Sequence, residues 1–329
     1  MNLETWLTYD DVLLLPKYST VEHRGDIDLS IEVAGLKYGH PIIPSNMKTI
    51  GTLKMFKGIV NTTPLFILHR FMSSKEAAIS FQQNPHIWSS VGGMNEENRN
   101  LVDLLMFCGQ NKFCVDVAHG DHKMALDIVN YIKSKSLKNY VIAGNVCTVS
   151  GATNLKIAGA DIIKVGVGPG SICTTRIQTG NGAPQLTALE FVRAGIGDTP
   201  IIADGGIKNS GDIVKALCFA DMVMVGNLFA GTMEAEGEII QTREGNFKRY
   251  EGSSTLKDRF VEGVKGQAPF KGKYACEVLG DLLDGVRSGL SYQGCNKLSK
   301  FRRDCPESRF VRMTNNGLME SQPHVFNAR

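Results

Sequence analysis

A (β/α)8 barrel is the fold class this sequence predicts, within the α/β class. Eight short apolar runs alternate with eight helical patterns, turn residues punctuate them, and polar residues collect at the carboxyl ends of the apolar runs. A chain of 329 residues accommodates one such barrel, an extended N-terminal segment and a long flap after the eighth strand, and residues 1–329 read as a single domain.

The chain opens on TYDDVLLLP at 8–16, an apolar run closed by proline, which reads as an extended lead-in packed under a larger body. The first strand is expected at 41–44 and its helix at 52–60. Strand two follows at 65–70 (LFILHR) with a helix at 75–83, and strand three at 88–92 with a helix at 96–107. Strand four, 113–118 (FCVDVA), precedes a helix at 123–135. Strand five, 140–143, runs into Gly144-Asn145 before a helix at 150–158. Strand six is 161–167 with a helix at 186–194, and strand seven 200–204 (PIIAD) with a helix at 212–219. Strand eight is 222–226 (MVMVG), and its helix comes late, at 278–290. Between them, 234–276 reads as a long irregular flap, and loops of that length in a compact domain usually carry function. The basic, polar tail after Lys297, with Arg302, Arg303, Arg309 and Arg312, is expected on the surface.

Composition excludes several classes. The net charge of +3, without a block of like charge, argues against nucleic-acid binding. No apolar stretch reaches membrane length, and the acidic start Met1-Asn2-Leu3-Glu4 has no apolar leader, so no membrane partner and a cytoplasmic location are expected. None of the eight cysteines forms a CxxC pair, so zinc has no support.

The densest chemistry lies at 166–182, GVGPGSICTTRIQTGNG. Behind the buried run 162–165, Gly166, Gly168, Pro169 and Gly170 let the backbone turn sharply and approach a ligand. Ser171 and the neighbouring amides suit a phosphate. Cys173 is a candidate nucleophile on a Gly-rich loop, although most unpaired cysteines are inert small hydrophobes. Two more glycine turns, Asp204-Gly205-Gly206 and Gly226-Asn227, follow strands seven and eight, where barrels commonly hold phosphate. The amides of Gly205 and Gly206 are expected on the phosphate and Asp204 on ribose hydroxyls; a plain tight turn is the other reading. No GxGxxG follows a strand, so no Rossmann unit is expected.

The strings GPGSICTTR (168–176) and TGNGAPQLTAL (179–189) closely resemble the active-site loop of the IMP dehydrogenase/GMP reductase family, and the likeness extends from Tyr9 to about Leu298. The resemblance implies that Cys173 attacks C2 of a purine nucleotide, with Thr175 and the flap carboxylate Glu262 as its catalytic partners. It places Ser171, Asp204, Gly205, Gly206, Gly226, Asn227 and Tyr250 on the nucleotide. It puts Arg70, Asp116, Ala118, Gly120, Ser253 and Arg259 near a nicotinamide cofactor, NADPH. A potassium ion on the carbonyls of Gly168, Gly170 and Cys173, and a homotetramer, are further implications.

The family runs two reactions through one covalent intermediate. Only residues 84–87 separate the second helix from strand three, leaving no room for the regulatory domains that dehydrogenases usually insert there. Arg259-Phe260 stands where dehydrogenases use an Arg-Tyr pair to activate water. IPSNM (43–47), FILHRF (66–71) and SYQG (291–294) resemble the bacterial reductase pattern. The flap is shorter than in those reductases, Lys48 departs from the family's usual acid or amide, and residues 186–189 and EGVKGQAPFKG (262–272) lean towards the dehydrogenases. The expectation is therefore reductive deamination of GMP to IMP with release of ammonia. A dehydrogenase lacking regulatory domains, a purine-sensing barrel and a phosphosugar isomerase are the alternatives.

Overall fold

The computed structural model describes residues 3–251, 265–304 and 309–321, with the side chains of 303 and 304 excepted. Eight strands form one parallel sheet: β1 (Ile42–Pro44), β2 (Ile67–Leu68), β3 (Trp88–Val91), β4 (Lys112–Asp116), β5 (Tyr140–Val146), β6 (Ile162–Val165), β7 (Ile201–Asp204) and β8 (Met222–Val225). Their spatial order is β1-β8-β7-β6-β5-β4-β3-β2, a nearly closed barrel. The loop after β1 meets the end of β2, where the His69 amide donates to the Gly51 carbonyl at 3.0 Å. Helices α1 (Leu53–Ile59), α2 (Ser74–Gln83), α3 (Glu96–Phe107), α4 (Lys123–Lys135), α5 (Val149–Ile157), α6 (Gln185–Ile196), α7 (Ser210–Ala216) and α8 (Ala275–Tyr292) follow successive strands. The chain is thus a (β/α)8 barrel. Apart from polar members such as Ser89, Ser90, Asp116 and Lys164, its strands are apolar, because helices cover one face and the barrel core the other.

Side chains fix the helix starts. Thr52, Ser73, Asn95, Thr148 and Asn209 each cap a helix by accepting from a backbone amide in its first turn. At the bottom of the barrel, aspartates before β6 and β8 make matching clamps. Asp161 accepts from the Val141 amide at 2.7 Å and from Lys133. Asp221 accepts from the Ile201 amide at 2.8 Å and is flanked by Arg193 and Arg302.

The N-terminal segment runs under the barrel wall as expected. Leu7 and Thr187 exchange hydrogen bonds, Tyr9 is buried, and Lys215 donates to the Tyr9 carbonyl at 2.8 Å. Strand Val12–Leu14 pairs antiparallel with Phe310–Arg312.

Two expectations are corrected. The tail is not simply surface: Leu298 and Phe301 are buried, spaced i,i+3 on the helix Leu298–Asp304, so an amphipathic turn lay within the basic stretch. The flap is not irregular where it is described. Strands β9 (Ile239–Thr242), β10 (Gly245–Glu251) and β11 (Lys265–Pro269) form an antiparallel sheet. Its inward residues on β10 are Lys248 and Tyr250, and a lysine on the inward face hides the alternation that marks a strand. Two single-turn helices, Thr175–Thr179 and Asn227–Ala230, also stand where loops are expected. Among the described residues, no helix is long and apolar enough to cross a membrane.

Candidate active site

The carboxyl ends of the strands surround one cavity of about 720 Å³. Arg70, Asp116, Ala118, Gly168, Gly170, Ser171, Cys173, Thr175, Asp204, Gly205, Gly206, Gly226 and Asn227 all line it. Two residues named from the sequence stand back from the lining. Gly120 is buried and its amide donates to the Asn145 carbonyl at 2.7 Å. Tyr250 is buried on β10. Glu262, Ser253 and Arg259 lie outside the described residues.

The cysteine loop is built by backbone approach. Gly166 has φ +153°, and a Cβ there would run into the Asp204 carbonyl and stand 3.2 Å from Gln185 Nε2. Only glycine lets β6 and β7 come this close. Gly166→Ala is expected to destabilise the protein by at least about 2 kcal/mol and to displace the cysteine loop. A urea midpoint equal to wild type would show that the two strands can spread. Beyond Gly166 the Cys173 amide donates to the Gly170 carbonyl at 3.1 Å, closing a tight turn. The Arg176 guanidinium donates to the Ala183 carbonyl and closes the far side of the loop. The half-buried Cys173 thiol lies 3.2 Å from the Thr175 hydroxyl, and Thr175 opens the single-turn helix that follows.

The three glycine turns meet on one rim. A Cβ on Gly205 would touch Pro169 Cγ at 2.8 Å, so the turns after β6 and β7 are packed together. Tyr250 bridges the turns after β6 and β8: its hydroxyl accepts from Asn227 Nδ2 at 2.8 Å and lies 2.7 Å from Ser171 Oγ. Between Tyr250 and Ser171 either hydroxyl can donate.

Below the rim lies a polar cluster whose centre the sequence reading missed. Lys164, 2% exposed, projects from β6 into the barrel, where Nζ donates to Asp116 Oδ1 at 2.6 Å and to Asp204 Oδ2 at 3.0 Å. Asn145 Nδ2 also donates to Asp204 Oδ2, at 2.8 Å, and to the Gly166 carbonyl at 2.7 Å. Gly144 makes room for the lysine, since a Cβ there would stand 2.6 Å from Lys164 Cβ. The signal was present as a single charge in the apolar run IIKV, a residue that stays buried only when paired. Burial by itself would raise the Asp116 pKa and lower that of Lys164. The opposed charges outweigh it: Lys164, with help from Arg70 and Asn46, holds the Asp116 carboxyl below its ordinary value. Asp116 and Asp204 in turn hold the ammonium well above an ordinary lysine.

Histidine contributes no proton carrier on the β2 side. Burial, with the Lys48 charge adding to it, pushes His69 down to about 4, and its Nδ1 accepts from the Phe71 amide at 3.1 Å. The imidazole is neutral at neutral pH and turns the chain after β2.

The cavity thus joins a rim of three glycine turns, a thiol beside a hydroxyl, and a carboxylate–ammonium cluster. The model of the IMP dehydrogenase / GMP reductase domain matches residues 6–324. The GMP reductase of Acidovorax ebreus (strain TPSY) is 35% identical over 305 residues, covering 90% of this chain and 93% of that protein. The GMP reductase of Latilactobacillus sakei is 34% identical over 306 residues, covering 90% and 94%. An inosine-5'-monophosphate dehydrogenase of Chlorobaculum parvum is 43% identical over 256 residues, covering 70% of this chain and 51% of that protein. With a cysteine loop of this form at the mouth of a (β/α)8 barrel, and a match along nearly its whole length, the chain belongs to the IMP dehydrogenase/GMP reductase family.

Proposed function

We propose that this protein is an NADPH-dependent GMP reductase, which converts GMP to IMP and ammonia through a covalent Cys173–purine adduct. The observation that carries this reading is the Cys173 thiol, 3.2 Å from Thr175 Oγ1, at the lip of a cavity rimmed by three glycine turns. The nucleotide phosphate is received by Ser171, Tyr250, Asn227 and the amides of Gly205, Gly206 and Gly226. Asp204, one oxygen of which is committed to Lys164 and Asn145, offers the other to the ribose.

The chemistry then balances as follows. The Cys173 thiolate adds to C2, and the 2-amino group leaves as ammonia once it has been protonated. Thr175 passes that proton, with Glu262 as its partner by family resemblance. Reduced nicotinamide, when bound, supplies a hydride to C2. The S–C2 bond then breaks, its electrons return to sulfur, and IMP is released. GMP, NADPH and two protons become IMP, NADP and ammonium.

The residues present fit such a cofactor. The cavity continues past Cys173 to Arg70, Asp116 and Ala118, and its volume of about 720 Å³ suits a nucleotide and a second ring together. The Arg70 guanidinium lies over the Phe71 ring, 4.6 Å from its centroid, close enough for a cation–π contact. A potassium ion would take the carbonyls of Gly168, Gly170 and Cys173; that of Gly170 also accepts from the Cys173 amide, which leaves its second lone pair for the ion. No step is routed through it. A cytoplasmic homotetramer completes the reading by resemblance.

The 43% identity to a dehydrogenase favours a second reading, oxidation of IMP. Against it stand the four residues 84–87 between α2 and β3, and Phe260 in place of the dehydrogenase tyrosine. Nicotinamide absorbance decides between them. NADPH consumption with GMP, one ammonium released per IMP formed, is the expected result. NAD reduction with IMP would replace the reductase by the dehydrogenase. Nucleotide binding without either reaction would favour a sensor.

A further inference from the structure

Lys248 has no part in the proposed chemistry, yet with Lys164 it is one of two lysines buried among the described residues, at 4% exposed. It sits on β10, the middle strand of the flap sheet, opposite Ile239 on one side and Ala268 on the other. Its Nζ donates to the carbonyls of Thr232 and Ala235, each at 2.7 Å, and approaches that of Met233 at 3.4 Å. An ammonium has three N–H donors, and here three carbonyls face them. The Met233 carbonyl also accepts from Lys54 at 3.0 Å. The Phe270 ring lies 5.2 Å from the ammonium.

The carbonyl ring lies on the segment that leaves the barrel just after Asn227–Ala230. Residues two apart on a strand share a face, so Lys248 and Tyr250 point the same way, and both are buried. Tyr250 reaches Asn227 and Ser171; Lys248 reaches the backbone five to eight residues beyond Asn227. One face of one flap strand is thereby fastened twice to one stretch of barrel chain.

We propose that Lys248 is a positioning residue: its ammonium, seated among the carbonyls of residues 232–235, anchors the flap strand and so holds the Tyr250 hydroxyl on Ser171 and Asn227. This rests on the reading that Ser171, Asn227 and Tyr250 receive the nucleotide phosphate. Without the ammonium the carbonyls lose their donors, β10 loosens, and the phosphate rim loses the phenol that closes it. The defect falls on nucleotide capture and leaves the thiol and hydroxyl of Cys173 and Thr175 in place.

The test uses the full chain with Lys248→Ala and Lys248→Met; the methionine keeps a stem against Phe270 and guards against outright unfolding. Two quantities are measured: hydrogen exchange of the amides of 245–251, and steady-state kinetics with GMP and NADPH. In both variants exchange at 245–251 should accelerate while β7 and β8 stay protected. KM for GMP should rise by about tenfold with kcat within about threefold. Propylammonium, which replaces the atoms removed in Lys248→Ala, should restore protection and KM in that variant, and sodium chloride at the same ionic strength should not. Wild-type exchange and KM in both variants would overturn the proposal, as would protection lost equally from the flap and the barrel strands. If the wild-type protein does not turn over GMP, the functional reading fails, and the exchange measurement still decides whether Lys248 anchors the flap.

Discussion

Cys173→Ala is expected to bind GMP within a few-fold of wild type and to lose turnover by at least about 10⁴-fold. The reason is local. The alanine removes the atom that would bond to C2, while Ser171, Tyr250, Asn227 and the glycine amides, which would hold the phosphate, are untouched. The side chain is half-buried in a loop closed by Gly170 and Arg176, so little packing is lost. Calorimetric titration with GMP and single-turnover absorbance with NADPH separate the two effects. Turnover above about a hundredth of wild type would remove the covalent step. Binding lost together with turnover would mean that the thiol organises the loop instead of reacting.

Lys164→Met is expected to cost about 3–5 kcal/mol of stability, because it strands two carboxylates around a buried site. Asp116 and Asp204 stand on β4 and β7, and Lys164 between them is the cation that joins the two sides of the cavity. A second substitution, Asp116→Asn, should recover part of the loss, since it removes one of the two unpaired charges. Urea midpoints of the single and double variants give the coupling. Strictly additive losses, or a loss under about 1 kcal/mol for Lys164→Met, would show that the cluster holds nothing together.

The same cluster sets a pH signature. In the wild type the folded Asp116 pKa is depressed, so its stabilisation is present above the unfolded value of about 3.9 and is lost as pH falls below it. The folded Lys164 pKa is raised, so its stabilisation is full below about 10.4 and is lost only as pH rises through the higher folded value. Between about pH 5 and 10 the cluster's contribution is flat. In Lys164→Met, the burial that raises Asp116 loses its main counterweight, and protonation relieves that carboxylate. The variant's urea midpoint should therefore rise as pH is lowered from about 7 to 5, where the cluster predicts no such rise for the wild type.

The sequence by itself determined the barrel and the loop that carries the candidate nucleophile. Alternation of apolar runs with helical patterns is a local property, and it located all eight strands and their helices. The run 168–176 carries the candidate thiol, and twelve other site residues named from the sequence or the resemblance line the cavity that the strand ends surround. What escaped was what depends on partners distant in the chain. Lys164 stands inside the run 162–165, which the sequence marks only as buried and apolar. It is satisfied only because β4 and β7 bring carboxylates to it from 48 and 40 residues away. Lys248 looked like an ordinary flap residue, and the resemblance alone put Tyr250 near the nucleotide; only the folded sheet seats the one on backbone carbonyls and the other on Ser171 and Asn227. Leu298 and Phe301 were read as part of a polar tail because their burial is set by the barrel they pack on. A single sequence shows where charge and apolar surface fall along the chain. Which charge meets which partner, and so which polar groups can be buried, is decided by the closure of the barrel and the docking of the flap on it.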